Sequence, residues 1–238
     1  MKLKNLFIWL SLFSIAMGFL ESSVVVYLRE ILYPEGFSFP LAIMEGSLAV
    51  TEILREAATI IMLISVAVIA GKSLSVRFAW FIYCFAIWDI SYYLFLKLLI
   101  GWPSSFFEWD ILFLLPVTWT GPVISPLMVS VLMIILAVVI VNHSARGIST
   151  RLKPWEWLML MGGAVVVILA FSWDFSAFII DRYSPAGIWN MPVRGSVLEY
   201  ARGYIPGQFN WWLFSAGNML IIFAIIMLAR RLHNLKHQ

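Results

Sequence analysis

The chain has 238 residues, of which 62% are hydrophobic and only 12% are charged, and its mean hydropathy is +0.93. A soluble domain carries about twice that charged fraction, so the composition excludes a soluble globular protein. The formal net charge is +3. Because the basic residues concentrate beside apolar segments, this charge indicates membrane topology and gives no reason to expect nucleic acid as a partner.

Apolar segments of about 20 residues recur along the chain, which is the length that crosses a bilayer as an α-helix. Their hydrophobicity is continuous rather than alternating, and this favours helices over barrel strands. The predicted fold is therefore all-α, a polytopic membrane helical bundle with six transmembrane helices, in a single integral membrane domain over residues 1–238. The predicted spans are 6–27, 48–70, 76–99, 124–141, 155–175 and 211–228.

Lysine and arginine are distributed unequally between the two sides of this bundle. The side that holds both termini carries ten of them, whereas the opposite side carries five. Cytoplasmic loops are enriched in these residues, so we expect both termini to be cytoplasmic and the protein to be a multi-pass protein of the plasma (cytoplasmic) membrane. The first apolar segment also resembles a signal peptide, and we interpret it as an uncleaved first helix.

The first of two long outer loops covers residues 101–126 and contains Trp102, Trp109 and Trp119. Its apolar core is too short to span, so we expect residues 105–122 either to lie in the membrane interface or to dip into the membrane and return. Tryptophan suits the headgroup level because its ring is amphipathic. An aromatic belt is therefore favoured over a lid on a ligand.

The second long outer loop covers residues 181–211 and carries Arg182, Arg194 and Arg202. Its stretch VRGSVLEYARGY, residues 193–204, is expected to form a short amphipathic helix. Such a helix would either lie on the membrane surface or fold back over the bundle.

Acidic residues are also distributed asymmetrically, since 12 of the 13 are predicted to lie within the membrane or on its outer side. Topology does not require this, because Asp and Glu contribute little to orientation. In the second span, Glu45, Glu52 and Glu56 share one helical face. Arg55 lies next to that face, three residues from Glu52, which is within ion-pair reach.

Polar stripes on the first and third spans are predicted to meet this acidic face in the outer half of the bundle. The first span contributes Glu21, and the third contributes Asp89, Tyr93 and Lys97 along one face. A charge in hydrocarbon costs roughly 2.5–3.5 kcal/mol, so such residues face the bundle interior and are commonly functional. The candidate ligand- or ion-binding residues are Glu21, Glu52, Arg55, Glu56, Asp89 and Tyr93.

Three aspartates follow a tryptophan directly, and their predicted environments differ. Asp110 is expected to be an interfacial loop residue, and Asp174 is expected near a helix end, where it reaches water. Asp89 falls near the middle of the bilayer. The alternatives for Asp89 are a structural ion pair with Arg55 or Lys97, and a free carboxyl that takes a proton or a ligand.

Metal and haem sites are not expected inside the bundle, because the three histidines, His143, His233 and His237, all lie at the predicted cytoplasmic edge. The single cysteine, Cys84, lies within a span and cannot form an internal disulfide. The sequence also lacks the motifs of serine hydrolases and zinc proteases. We therefore expect no cofactor and no metal.

Three functional classes remain, and all involve the lipid bilayer. The favoured hypothesis is an acid-rich polar cavity, open to the outer side, that binds or transports a small cation, a proton or a polar solute. The first alternative is a non-catalytic accessory subunit of a larger membrane complex, with other membrane proteins as partners. The second is a cofactor-free intramembrane enzyme in which paired carboxylates act on a lipophilic substrate; it requires a hydrophobic cavity that reaches Asp89.

Overall fold

The computed structural model describes residues 2–40, 42, 44, 46–114, 117–183 and 195–236. Six of its helices are long and apolar enough to cross a membrane, which confirms the predicted number of spans. In chain order the elements are α1 Leu3–Leu32, α2 Gly46–Ala70, α3 Leu74–Ile100, β1 Trp109–Phe113, β2 Trp119–Pro122, α4 Ile124–Ala145, α5 Pro154–Arg182, α6 Gly195–Ala201 and α7 Trp211–Lys236.

The spanning helices contain the predicted spans, and each extends beyond its span at one end or at both. The clearest case is α1, which continues past residue 27 to Leu32 and so includes Arg29 as a helical residue. Hydropathy detects only the apolar part of a helix, whereas backbone hydrogen bonding continues into polar surroundings. α3 begins where the Ser73 hydroxyl accepts the Val76 N–H, and it ends at Gly101, whose φ of 70° is a left-handed conformation that favours glycine.

Between α3 and α4 the chain forms a two-stranded antiparallel hairpin, in which β1 pairs with β2. The all-α prediction did not include it. The hairpin is joined to the start of α4, because Ile124 donates its N–H to Phe106 O at 2.8 Å and Val123 donates to Glu108 O at 2.9 Å. We refer to the end of the bundle that carries this hairpin as the hairpin end.

Helix α3 is the central helix and packs against α1, α2 and α4, whereas α5 packs mainly against α7. Two small residues of α1, Gly18 and Ser22, bring this helix close to α3. A Cβ atom on Gly18 would lie 2.7 Å from Ser91 Cβ. The Ser22 hydroxyl lies 2.7 Å from Gly18 O and 2.9 Å from Tyr92 O, so it binds the backbone of both helices.

The short helix α6 folds back over the bundle, which is one of the two arrangements expected for this loop. Its residues Val197 and Ala201 are buried, together with Tyr204, against Phe175 and Ile179 of α5. The loop residues 184–194, including Arg194, lie outside the described residues.

At the opposite end of the bundle, Glu156 ties α5 to α7. Its carboxyl is fully buried and accepts two hydrogen bonds from Arg231, from Nε at 2.7 Å and from Nη2 at 2.8 Å. The N–H of Lys153 donates a third at 2.7 Å, as expected for a residue in the first turn of a helix.

Replacing Arg231 with lysine is expected to lower the free energy of unfolding by about 1.5–3 kcal/mol, because an ammonium cannot reproduce the bidentate hydrogen bonding to a buried carboxylate. Thermal denaturation in detergent, followed by size-exclusion chromatography, measures the effect. Arg230→Lys is the matched control, since Arg230 is exposed. Equal melting temperatures for the two variants would contradict the prediction.

Candidate functional site

At the hairpin end, α1, α2, α3 and β1 surround a cavity of about 120 Å³, which we call the acidic cavity. Five carboxyl groups and two guanidinium groups line it, and all six predicted site residues are among its lining residues. The charged residues are Glu21, Glu52, Glu56, Asp89, Asp110, Arg29 and Arg55. Glu45, which was predicted on the same face of α2, lies outside the described residues.

Arg55 joins α2 to α1 by binding two of these carboxylates. Its Nε and Nη2 atoms donate to the two oxygens of Glu52 at 2.9 and 2.6 Å, and its Nη1 donates to Glu21. The pairing of Arg55 with Glu52 follows the predicted spacing of three residues. The guanidinium therefore donates hydrogen bonds to a carboxylate of α2 and to one of α1.

Glu56 lies one turn further along α2 and contacts the hairpin. Both of its oxygens accept the backbone N–H of Leu114, at 3.0 and 3.1 Å. The residue is only 5% exposed. Within the described part of the chain, Glu56 forms no salt bridge, so a backbone amide is its principal partner.

Asp89 lies near the middle of α3 and accepts a hydrogen bond from the Ser130 hydroxyl of α4 at 2.8 Å. Neither predicted cation reaches it. Arg55 is held by Glu21 and Glu52, and Lys97 donates to the backbone oxygens of Gly101 and Pro103 at 2.9 and 2.8 Å. Among the described residues, Asp89 therefore has a neutral partner and no salt bridge.

The prediction that Asp110 is an interfacial loop residue is wrong, because Asp110 is 2% exposed and pairs with Arg29 at 3.1 Å. Its second oxygen lies 3.3 Å from the Tyr93 hydroxyl. Burial raises the pKa of the Asp110 carboxyl, while the Arg29 guanidinium lowers it. This pair is the part of the site that sequence reasoning missed; Arg29 lies seven residues after Ser22, on the buried face of α1.

Two aromatic rings hold the Arg29 guanidinium in place. Its Cζ atom lies 3.8 Å from the ring centre of Trp102 and 4.2 Å from that of Phe37. Such contacts are favourable for a cation that has lost its water. Trp102, which was predicted to belong to an aromatic belt, therefore packs on a buried charge.

Asp174 has a structural role in the connections at the hairpin end. Its Oδ2 atom accepts the Tyr204 hydroxyl at 2.7 Å and the Gly207 N–H at 3.1 Å. The Tyr204 hydroxyl in turn lies 2.9 Å from the Thr120 hydroxyl of β2. This chain of hydrogen bonds ties α5, the segment after α6 and the hairpin together, away from the acidic cavity.

A second cavity, which we call the apolar cavity, adjoins the acidic one. It has a volume of about 380 Å³ and lies among α3, α4, α5 and the hairpin, with Ile60 of α2 at its border. Its polar lining residues include Asp89 and Ser130, and aromatic residues such as Trp119 and Phe171 line much of the rest. Trp88 and Asp89 line both cavities, so the two meet at this point of α3.

The acidic cavity offers carboxyl oxygens that can bind a proton or a cation. The apolar cavity offers an almost entirely apolar surface. Among the described residues, no group of three or more His, Cys, Asp and Glu is arranged to hold a metal ion. No protein family matches this chain, and neither does any curated protein or solved structure. We therefore infer a function from the geometry of the two cavities.

Proposed function

We propose that this multi-pass membrane protein binds or transports a small cationic or protonated solute in the acidic cavity, which it reaches from the outer side. The proposal depends on which groups Asp89 and Glu56 contact. Both line the same cavity on neighbouring helices, and neither forms a salt bridge within the described residues. The two arginines of the cavity are already occupied by other carboxylates.

The charge balance of the cavity supports a positively charged ligand. Its carboxyl groups outnumber its guanidinium groups by three when all are ionised, since five face two. Carboxylates held in surroundings of low polarity attract a cation or a proton strongly, because there is little water to screen them. The volume of about 120 Å³ restricts the ligand to a few non-hydrogen atoms.

Asp89→Asn and Glu56→Gln are each expected to weaken binding of the small cation at least about tenfold, since each removes one charge contact in a desolvated site. Both amides keep an oxygen that can accept from Ser130 or Leu114, which favours retention of the fold. Calorimetry with methylammonium, Na⁺ and Ca²⁺ on protein in nanodiscs measures binding, and a pH-sensitive dye in proteoliposomes measures proton movement.

Glu30→Gln is the matched control, because Glu30 is an exposed carboxyl of α1 outside the cavity. It should bind like the parent. The proposal is wrong if the parent binds none of the three cations and moves no protons, or if Asp89→Asn and Glu56→Gln both behave like the parent.

The accessory-subunit hypothesis stays a prediction. Large apolar side chains such as Trp212, which is 89% exposed, face outward and suit either lipid or a partner protein. Native mass spectrometry of gently solubilised membranes distinguishes these cases, because an accessory subunit would appear with a stoichiometric partner.

A further inference from the structure

We propose that the apolar cavity is a lipid site, which takes the single hydrocarbon chain of an amphiphile whose hydroxyl head lies at Asp89 and Trp88. This inference goes beyond the cation site of the acidic cavity. The two sites share Asp89, but the lipid would lie on the opposite side of this residue, in the apolar cavity.

The length of the apolar cavity fits one hydrocarbon chain of one leaflet. Along α5 its lining extends from Leu160 to Phe171, which is about 16 Å at 1.5 Å per residue. One leaflet contributes about half of a hydrocarbon core of roughly 30 Å. The lining is almost entirely apolar, so a chain could occupy the cavity without burying further polar groups of the protein.

The apolar cavity reaches the outer surface of the spanning helices. Met161, one of its lining residues, is 52% exposed on the outward face of α5. Ile60 marks the border on α2, a helix that packs mainly against α3. An amphiphile that is already dissolved in the bilayer can therefore enter sideways, between α2 and α5.

The polar groups of the apolar cavity select the head. Asp89 offers an oxygen that is not used by Ser130, whose hydroxyl binds Oδ2. The Nε1 atoms of Trp88 and Trp119 are buried donors with no acceptor among the described residues. Buried donors that lack an acceptor are unfavourable, so the ligand is expected to supply one.

The head group must donate a hydrogen bond to a carboxylate and accept one from an indole N–H. A hydroxyl does both, since it donates one hydrogen bond and accepts others. It can donate to Asp89 and accept from Trp88. An ammonium only donates, and a phosphodiester brings negative charge toward a carboxyl. The hydrocarbon chain of the amphiphile gains little free energy when it moves from the bilayer into the cavity, because both surroundings are apolar. Selectivity must therefore come from the head and from the fit of the cavity.

The test uses the full chain in phosphatidylcholine nanodiscs that contain a photoreactive analogue of octadecanol, with cross-linked peptides identified by mass spectrometry. Cross-links are expected on the peptides that contain Met161 and Ala164. Ala164→Phe fills the cavity and should reduce this labelling at least about tenfold, as expected for overpacking of a chain site. Ala58→Phe is the matched control, since Ala58 is exposed and does not line the cavity.

Competition on the unaltered protein tests the head, so this result does not depend on the folding of a variant. Octadecanol is expected to compete about tenfold better than octadecane, which corresponds to about one hydrogen bond. Equal competition by the two, or equal labelling of Ala164→Phe and Ala58→Phe, would show that the cavity holds only bulk lipid and would overturn the inference. Cation binding is measured without added octadecanol or its analogue, so its outcome is distinguishable from both of these results.

Discussion

Replacing Arg29 with methionine is expected to lower the free energy of unfolding by about 3–5 kcal/mol, the usual cost of removing one partner from a buried ion pair. Asp110 would lose its only salt bridge among the described residues while staying 2% exposed. It would keep the Tyr93 hydroxyl, 3.3 Å away, as a neutral partner. The stacking of the guanidinium on Trp102 and Phe37 would also be lost.

The control for this variant is Arg202→Met. Arg202 pairs with Glu199 at 3.1 Å, but the side chains of this pair are 43% and 70% exposed. Exposed pairs contribute about 0–1 kcal/mol. A double variant, Arg29→Met with Asp110→Leu, should recover much of the lost stability, because no unpaired buried charge remains. If Arg29→Met and Arg202→Met denature at the same temperature in detergent, the buried pair does not stabilise the fold as we infer.

Replacing Gly163 with valine is expected to lower the free energy of unfolding by about 3 kcal/mol. This value is at the upper end of the usual range of about 1–3 kcal/mol for overpacking. Even a single Cβ atom at this position would lie 2.7 Å from Ile221 Cγ1 and 2.9 Å from the backbone oxygen of Gly217. Because part of this obstacle is backbone, α5 and α7 must separate to accommodate the side chain.

Gly162→Val is a close control for this second variant. Gly162 is the neighbouring residue of the same helix, and a Cβ atom there would meet nothing within 4 Å. The two variants have the same helix propensity change, so their difference isolates the contact between α5 and α7. The measurement is size-exclusion chromatography in detergent after heating. The peak of folded protein should disappear at a clearly lower temperature for Gly163→Val than for Gly162→Val. Equal behaviour would mean that the helices can separate at little cost.

The six spans could be predicted from the sequence because a bilayer imposes a length and a composition on any helix that crosses it. The hairpin could not. Its strands have five and four residues, and its pairing joins Asp110 to Gly121, 11 positions apart in the chain. Periodicity over so few residues does not separate a short strand from an interfacial loop.

For the acidic cavity, helical spacing predicted the contact of Arg55 with Glu52, since three residues along a helix fix a distance. The partner of Asp89 was not predictable in the same way. Ser130 is a neutral residue 41 positions away, and nothing in its local sequence separates it from other serines of the spans. Arg29 and Asp110 are 81 positions apart, and their pairing depends on where the hairpin folds.

The division of charges among the helices has a consequence for biogenesis. Arg55 and Glu52 belong to the same helix and lie three residues apart, so they can neutralise each other as soon as α2 forms. Arg29 has no such partner within α1, because Asp110 is made later, in the hairpin. α1 therefore enters the bilayer with an arginine close to its end, where a long side chain can still reach the headgroups. Only when translation has delivered the hairpin can that arginine leave the lipid surface and become internal.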